Sequence, residues 1–289
     1  MKDSTGGKQS TLPPGTGALG LKAFLASLSL LFISTLCAYW IVRGQAGYWS
    51  EGLPSIPKGL WVSSGILALL SACCETAARS FARGNGPAFK RLFNAGFILA
   101  LAFLLSQAMN WSELTAAHLS PTAKSLYSFS FYMLTGLHGL HVVGGVVCHW
   151  MAMRTFAAGN GNHDKVRSIA IYWHFLSICW VVLFASLIVG TDHELTGAQI
   201  VSACWKITGF AFLMFVLCWV RALAAIVKHE GIAYAVIGLI PFIAFLRAFM
   251  RADEMRMRRN LAWWAFWFAL ALAVGSVGLA IQFGPNPPA

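Results

Sequence analysis

Long apolar runs are the feature that most limits how this chain can fold. A helix needs about 20 mostly apolar residues to cross the hydrocarbon core of a bilayer. Five runs of this kind lie in the first two-thirds of the chain, at Leu21–Val42, Leu60–Phe81, Phe93–Trp111, Tyr127–Met151 and Ile169–Gly190. Two more follow at Ile200–Val227 and Leu261–Phe283. The runs predict an all-α fold, a polytopic transmembrane helical bundle.

The amino-acid composition supports a membrane protein and excludes two other classes. Only 11% of the 289 residues are charged and 58% are hydrophobic, whereas soluble domains average about 25% charged residues. The chain therefore has too few polar side chains to cover a soluble globule of its size. This excludes an ordinary soluble enzyme and, despite the net charge of +11, a nucleic-acid-binding protein.

The basic residues predict the orientation of the helices, because cytoplasmic loops carry an excess of Lys and Arg. With a cytoplasmic N-terminus and seven crossings, all but four of the 21 basic residues lie on the cytoplasmic side, the exceptions being Arg43, Lys58, Lys124 and Lys206. This distribution requires that an eighth apolar stretch, Gly231–Met250, does not cross. We therefore predict about seven crossings, with Gly231–Met250 re-entrant or packed at the interface and Gly284–Ala289 periplasmic.

The sequence divides into three predicted regions. A Gly/Ser/Thr/Pro-rich flexible tail at 1–20 precedes a five-helix core at 21–190 and a C-terminal membrane extension at 196–289. The extension contains two further crossings and the re-entrant or interfacial segment. No small-residue cleavage site follows a short apolar region near the N-terminus, so no signal peptide is expected. The stretch Arg247–Arg259 is read either as an amphipathic surface helix touching anionic lipid or as an ordinary cytoplasmic loop.

Polar side chains at membrane depth are costly and indicate function by default. They are concentrated in two runs, at Tyr132, Thr135, Gly136, His138, Gly139, His141, Gly144 and Gly145, and at Tyr172, Trp173, His174, Ser177 and Trp180. A spacing of three places Thr135, His138 and His141 broadly on one helix face. The glycines Gly136, Gly139 and Gly144 are expected to let a neighbouring helix approach closely. His149 lies near the predicted cytoplasmic end of its run, where lipid headgroups are expected to solvate it.

Two interpretations of the histidines follow from residue types alone. In one, His138, His141 and His174 bind haem or a metal in the bundle core. In the other, they are neutral and form hydrogen bonds between helices. The second is favoured because we expect no carboxylate beside them, since Glu75, Glu113 and Glu194 fall near the ends of runs or in loops. No nucleophile, base and orienting group assemble into a catalytic site.

Three motifs resemble subunit III of the haem–copper oxidases. Thr135-Gly136-Leu137-His138-Gly139-Leu140-His141-Val142, followed by Gly144–Gly145, resembles the signature helix of that subunit. Tyr172-Trp173-His174-Phe175 with Trp180 resembles its last core helix, and Gln107-Ala108 with Trp111 resembles the end of the helix before the signature. The motifs occur in the family's order, and the resemblance covers about residues 20–190.

The resemblance implies a non-catalytic subunit of a respiratory cytochrome c or quinol oxidase in the bacterial plasma (inner) membrane. Haem and copper would then be carried by the partner catalytic subunit, and this chain would bind no redox cofactor or metal. Its implied partners are oxidase subunits I and II and membrane phospholipid, and its implied role is to stabilise the catalytic subunit, hold lipid and support proton uptake during oxygen reduction. We predict Lys165 and Arg167, which lie beside the fifth run, as lipid-phosphate ligands.

The sequence departs from the family pattern at charged positions. Carboxylates that the resemblance leads us to expect are replaced by Leu28, Asn110, Ser177 and Arg167. We therefore do not expect this chain to share an intramembrane carboxylate role.

Three other functions remain open at this point. One is an accessory subunit of a nitric oxide reductase, and another is a transporter or channel. The third is a cytochrome b-like enzyme with His141 and His174 as axial ligands. Residues 196–289, which have no counterpart in the family core, are predicted to dock a further respiratory subunit or complex.

Overall fold

The computed structural model describes residues 16–46, 57–116, 125–191, 195–251 and 257–284. Within these ranges the chain forms nine helices and no strand: α1 Thr16–Gln45, α2 Gly59–Ala82, α3 Gly86–Ala116, α4 Leu126–Ala157, α5 His163–Gly190, α6 Gly197–Glu230, α7 Ile232–Ile237, α8 Pro241–Met250 and α9 Arg258–Phe283. Of the described helices, seven (α1 to α6 and α9) are long and apolar enough to cross a membrane. This confirms the predicted all-α bundle with about seven crossings. The side on which the N-terminus lies stays a prediction.

Polar side chains and glycines set several helix ends. The Asn162 side chain accepts a hydrogen bond from the backbone of Lys165 at the start of α5, and Thr196 forms a capping box with Gln199 at the start of α6. Such bonds satisfy backbone N–H groups that have no partner within the helix. Gly84 and Gly159 have positive φ in the short turns after α2 and α4, a conformation that glycine adopts without strain.

Several predicted segments fall partly or wholly outside the described residues. Residues 1–15 of the predicted tail, Lys124, Glu194 and residues 285–289 lie there, whereas Thr16–Gly20 forms the start of α1. Gly231–Met250 is divided between the short helices α7 and α8. The longer of these, α8, has 10 residues and so measures about 15 Å, half the thickness of the hydrocarbon core.

The described residues divide into two compact units, one within Met1–Leu36 and Gly52–Thr191 and the other within Cys37–Glu51 and Asp192–Ala289. In the first unit, α2 packs on α3 and α5, and α4 also packs on α3 and α5. The largest fully buried side chains of this unit include Trp173, Trp180 and Phe103. These aromatic residues come from the helices that carry the sequence motifs, so the motifs form the core of the unit.

In the second unit, α6 packs along α9, and the end of α1 joins them. The Arg43 side chain donates to the Leu195 carbonyl oxygen at 2.8 Å, and the Gln45 amide donates to the Ala280 carbonyl oxygen at 2.9 Å. Gly197, the first residue of α6, lies directly against the backbone carbonyl of Gly44. The Arg43 guanidinium group and the Gln45 amide therefore satisfy backbone carbonyl groups at the junction of α1, α6 and α9. Gly197 allows the backbones of α1 and α6 to approach closely there.

We predict that Gly197→Ala lowers the melting temperature of the detergent-solubilised protein, because the added methyl group would collide with the Gly44 carbonyl oxygen. Overpacking of this kind costs roughly 1–3 kcal/mol. Gly209→Ala, in the same helix, is the matched control, since nothing lies within 4 Å of a Cβ added there. Equal melting temperatures for the two variants would contradict this account of the junction.

Candidate functional site

The centre of the first unit is a layer of aromatic rings around His138. This residue of α4 is fully buried, with ring centroids of Phe103 at 5.7 Å and Trp180 at 5.1 Å. Phe32 of α1 contacts the same histidine at 6.1 Å. Neither ring nitrogen of His138 has a hydrogen-bond partner among the described residues, and the same holds for the side-chain amide of Gln107, which is also buried. The layer joins α1, α3, α4 and α5 mainly through ring packing.

His141 lies one turn further along α4 and is bound within its own helix. Its Nδ1 is 2.7 Å from the Leu137 carbonyl oxygen, and its ring packs against Phe32 at 5.3 Å. The Tyr172 hydroxyl of α5 donates to the backbone carbonyl of His141 at 2.9 Å. This part of the signature motif therefore links α4 to α1 and α5.

Hydrogen bonds from indole groups connect the other motif residues. Trp111 Nε1 donates to Thr135 Oγ1 at 3.2 Å, which ties α3 to α4. Trp180 Nε1 donates to Ser64 Oγ at 2.9 Å, which ties α5 to α2. Each bond satisfies a polar group inside an apolar bundle, where an unpaired group would be costly.

A third indole bond shows that the expectation for His149 was wrong. Its exposed fraction is 0%, and its Nδ1 accepts a hydrogen bond from Trp173 Nε1 at 3.2 Å. The Phe93 ring packs on it at a centroid distance of 4.1 Å. Sequence position alone suggested contact with headgroups, but α3 and α5 extend far enough to enclose this turn of α4. The His149–Trp173 pair was missed because its partners come from different helices.

The glycines of α4 differ in how closely other helices approach them. A Cβ at Gly145 would meet Tyr172 at 2.8 Å and Trp173 at 3.0 Å, and one at Gly136 would meet Trp111 at 3.5 Å. At Gly144 the first atom is the Tyr172 hydroxyl at 3.9 Å, and at Gly139 nothing lies within 4 Å. The close approach of α5 is therefore centred on Gly145, and the predicted strip of Gly136, Gly139 and Gly144 does not describe it.

A carboxylate lies beside His174, so the expectation that no span would place one next to these histidines was wrong. Glu75 Oε2 is 3.2 Å from His174 Nε2 and 2.7 Å from Arg167, while Oε1 accepts from Arg79 Nε at 2.9 Å. The other ring nitrogen of His174 bonds to Ser71 Oγ, which is one turn before Glu75 on α2. Glu75 belongs to α2 and Arg167 and His174 to α5, and the sequence carries no information about the register between these helices.

The neutral replacements of the expected family carboxylates are accommodated by the structure. Leu28 is buried in α1. Asn110 Nδ2 donates to Ser63 Oγ at 3.2 Å, and Ser177 Oγ donates to the Trp173 carbonyl oxygen at 2.8 Å. Arg167, which carries the opposite charge to the expected residue, obtains its counter-charge from Glu75.

Lys165 and Arg167 line a cavity of about 730 Å³ between α1, α4 and α5. Lys22 of α1 and Asp164 also line it, so the polar end carries three cations and one carboxylate. The remaining wall is largely apolar and includes Leu25, Met151 and Ile171. A cavity with a cationic rim and an apolar wall can accommodate an amphipathic ligand, whose polar head and apolar tail need these different surroundings.

The three histidines that were considered as haem or metal ligands have separate surroundings. His138 lies among aromatic rings, His141 contacts its own backbone, and His174 bonds to Glu75 and Ser71. In the described part of the chain, no group of three or more His, Cys, Asp or Glu side chains is arranged to hold a metal ion.

Comparison with known proteins gives consistent matches to one family. The family model described as cytochrome c oxidase subunit III matches residues 6–191. A probable cytochrome c oxidase subunit 3 of Mycobacterium leprae is 29% identical over 177 residues, which are 59% of this chain and 86% of that protein. The cytochrome c oxidase subunit 3 of Synechocystis is 27% identical over 177 residues, 59% of this chain and 74% of the relative. That of Corynebacterium diphtheriae is 24% identical over 205 residues, 65% of this chain and 98% of the relative.

We predict that Gly145→Ala destabilises the five-helix core, because its methyl group would press on the rings of Tyr172 and Trp173. The expected loss is roughly 1–3 kcal/mol, measured as a lower melting temperature in detergent. Gly139→Ala is the control on the same helix, where a Cβ meets open space. A larger effect at Gly139 than at Gly145 would overturn the packing described above.

Proposed function

Since the chain belongs to the cytochrome c oxidase subunit III family and is a subunit III of a haem–copper oxidase, we propose that it has no active site of its own and acts by stabilising the catalytic subunit, holding lipid and supporting proton uptake. As a subunit III it is part of an oxidoreductase complex with other oxidase subunits, and it is a multi-pass membrane protein. The proposed neighbours are subunits I and II in a bacterial plasma membrane. The haem and copper of the catalytic subunit would supply the oxygen chemistry.

The observation that carries the lipid role is the cavity between α1, α4 and α5. Lys22, Lys165 and Arg167 surround its polar end, where the phosphate of a phospholipid would form charge-assisted hydrogen bonds. The apolar wall would then contact the acyl chains. Arg167 can serve this ligand and Glu75 together, because a guanidinium group has five N–H donors. A free phosphate ion would leave the apolar wall without an occupant, so we assign the cavity to a phospholipid.

We expect the Lys165→Ala/Arg167→Ala variant of the purified oxidase to lose bound phospholipid, because two of the three cations at the rim are removed. Lipid per complex would be measured by extraction and mass spectrometry. Lys90→Ala/Arg91→Ala is the matched control, since it removes two basic residues of α3 that do not line the cavity. Unchanged lipid content in the first variant, or an equal loss in the control, counts against the site.

Support of proton uptake is proposed for the chain of groups at Glu75. An imidazole whose two nitrogens are both hydrogen-bonded can pass a proton between its partners, and His174 connects Glu75 with Ser71 in this way. The Glu75 side chain is 21% exposed, so it is not fully enclosed by the bundle. Arg79 and Arg167 hold the carboxylate in place. Glu75 can therefore orient the His174 imidazole as a proton relay at one end of α2.

We predict that Glu75→Gln slows proton uptake during oxygen reduction and shortens the active lifetime of the complex, because the neutral amide loses the ion pairs with Arg79 and Arg167 and orients the His174 imidazole less strongly. Both quantities would be measured on the purified oxidase with a pH-indicator dye and an oxygen electrode. Glu113→Gln removes a carboxylate from the other end of the neighbouring helix α3 and should leave them unchanged. Arg79→Gln removes one ion pair but leaves the His174 contact. If Arg79→Gln reproduced the Glu75 effect, the ion pair with Arg79 and not the contact with His174 would be responsible.

A further inference from the structure

The segment after α6 folds back along the last turns of that helix. Gly231 ends α6 with φ of 96°, a left-handed conformation that reverses the chain and favours glycine. α7 and α8 then both pack on α6, and α8 also packs on α9. Ala244 and Ala248 form the inner face of α8 and are buried in a cluster that includes Ala222 and Ile226 of α6. The segment 231–251 is thus a helical hairpin that packs on α6 and, through α8, on α9.

Two contacts define where the membrane end of this hairpin lies. The Asn260 amide donates to the Cys218 carbonyl oxygen at 3.1 Å, so the first turn of α9 is level with Cys218 of α6. From that level, α6 continues to Glu230, which is slightly more than three turns or ~18 Å further. The indole of Trp219 donates to the Gly238 carbonyl oxygen at 3.0 Å. The tip of the hairpin therefore lies level with the start of α9.

The base of the hairpin is held by charges at the opposite level. The Glu230 side chain is 7% exposed. Its two carboxylate oxygens each lie 3.3 Å from a guanidinium nitrogen, one of Arg247 and one of Arg251. The guanidinium group of Arg247 also stacks over the Tyr234 ring at 4.1 Å. We refer to Glu230, Arg247 and Arg251 as the clasp. Glu230 is nearly buried whereas Arg247 and Arg251 are 30% and 52% exposed, so loss of the arginines would leave an enclosed charge without a partner.

The tip itself is apolar and faces outward. Ile237, Leu239, Ile240 and Phe242 are between 51% and 73% exposed. The adjacent turns of α9 carry Trp263, which is 50% exposed, and Trp267, whereas Trp264 is buried and packs on Phe215 of α6 at a ring distance of 5.7 Å. Tryptophans collect at the boundary between headgroups and hydrocarbon. The exposed Trp263 beside the tip is therefore consistent with a position at the bilayer interface.

We propose that residues 231–251 form a membrane-anchoring hairpin whose tip, Ile237, Leu239, Ile240 and Phe242, inserts into the bilayer interface while the clasp holds its base against α6. The partner of this surface is lipid. Insertion removes four adjacent large apolar side chains from water, which is favourable because apolar surface is transferred to an apolar environment. The clasp also links the hairpin to the end of α6. If the tip is anchored in lipid, the end of α6 cannot move away from the membrane unless the contacts of Glu230 break.

The test is photo-crosslinking from single positions in the full chain, kept in its native membrane. Benzoylphenylalanine replaces Phe242 at the tip, Phe268 on the exposed side of the spanning helix α9, or Lys228 near the base, and adducts are identified by mass spectrometry. All three side chains are exposed, so the variants perturb folding little. The proposal predicts phospholipid adducts from position 242 in a yield close to that from position 268. From position 228 it predicts a much lower yield.

Two results would overturn the proposal. A protein adduct at Phe242 would show that the tip docks another subunit, and a lipid yield as low as that at Lys228 would place the tip in water. The clasp is tested by combining benzoylphenylalanine at position 242 with Glu230→Ala. Lipid adducts at Phe242 should then fall while those at Phe268, measured in the same Glu230→Ala background, stay unchanged. If both yields were unaffected, the clasp would have no role in anchoring.

Discussion

The hydrocarbon core of a bilayer offers no hydrogen-bonding partner to the backbone, and the rest of this structure depends on that constraint. Helices satisfy their own backbone groups, so every spanning segment is helical and helix pairing is left to side chains. In the first unit, the pairing comes from rings around His138 and from three indole bonds, donated by Trp111, Trp173 and Trp180. These few polar contacts are directional, so they fix the rotation of each helix where apolar packing alone would leave it loose.

Carboxylates near helix ends are treated alike in the two units. Glu75 is held by two arginines, Arg79 and Arg167, and Glu230 by Arg247 and Arg251. In each case at least one arginine comes from another helix. The ion pairs therefore connect two elements and also supply a counter-charge to the carboxylate. The two clusters differ in how enclosed they are, because the Glu75 side chain is more exposed than that of Glu230.

The sequence predicted the membrane class, the number of spanning helices and the family, because these follow from run length and from the local motif around His138. It also singled out Lys165 and Arg167, which line the same cavity. It failed at Glu75, His149 and Gly139, where the outcome depends on which residues of neighbouring helices face each other. Helical periodicity gives the face on which a residue lies, but the partner opposite that face is a property of helix register and tilt.

The sequence by itself determined that this chain is an all-α bundle in a bilayer. Its charged residues are too few to cover a soluble globule, and its apolar runs are long enough to cross the hydrocarbon core. Only the tertiary structure decided that Glu75 meets His174, that Trp173 encloses His149, and that 231–251 folds back on α6. Each of these contacts joins residues far apart in the chain. They arise from the packing of whole helices, and no local pattern of residue types encodes that packing directly.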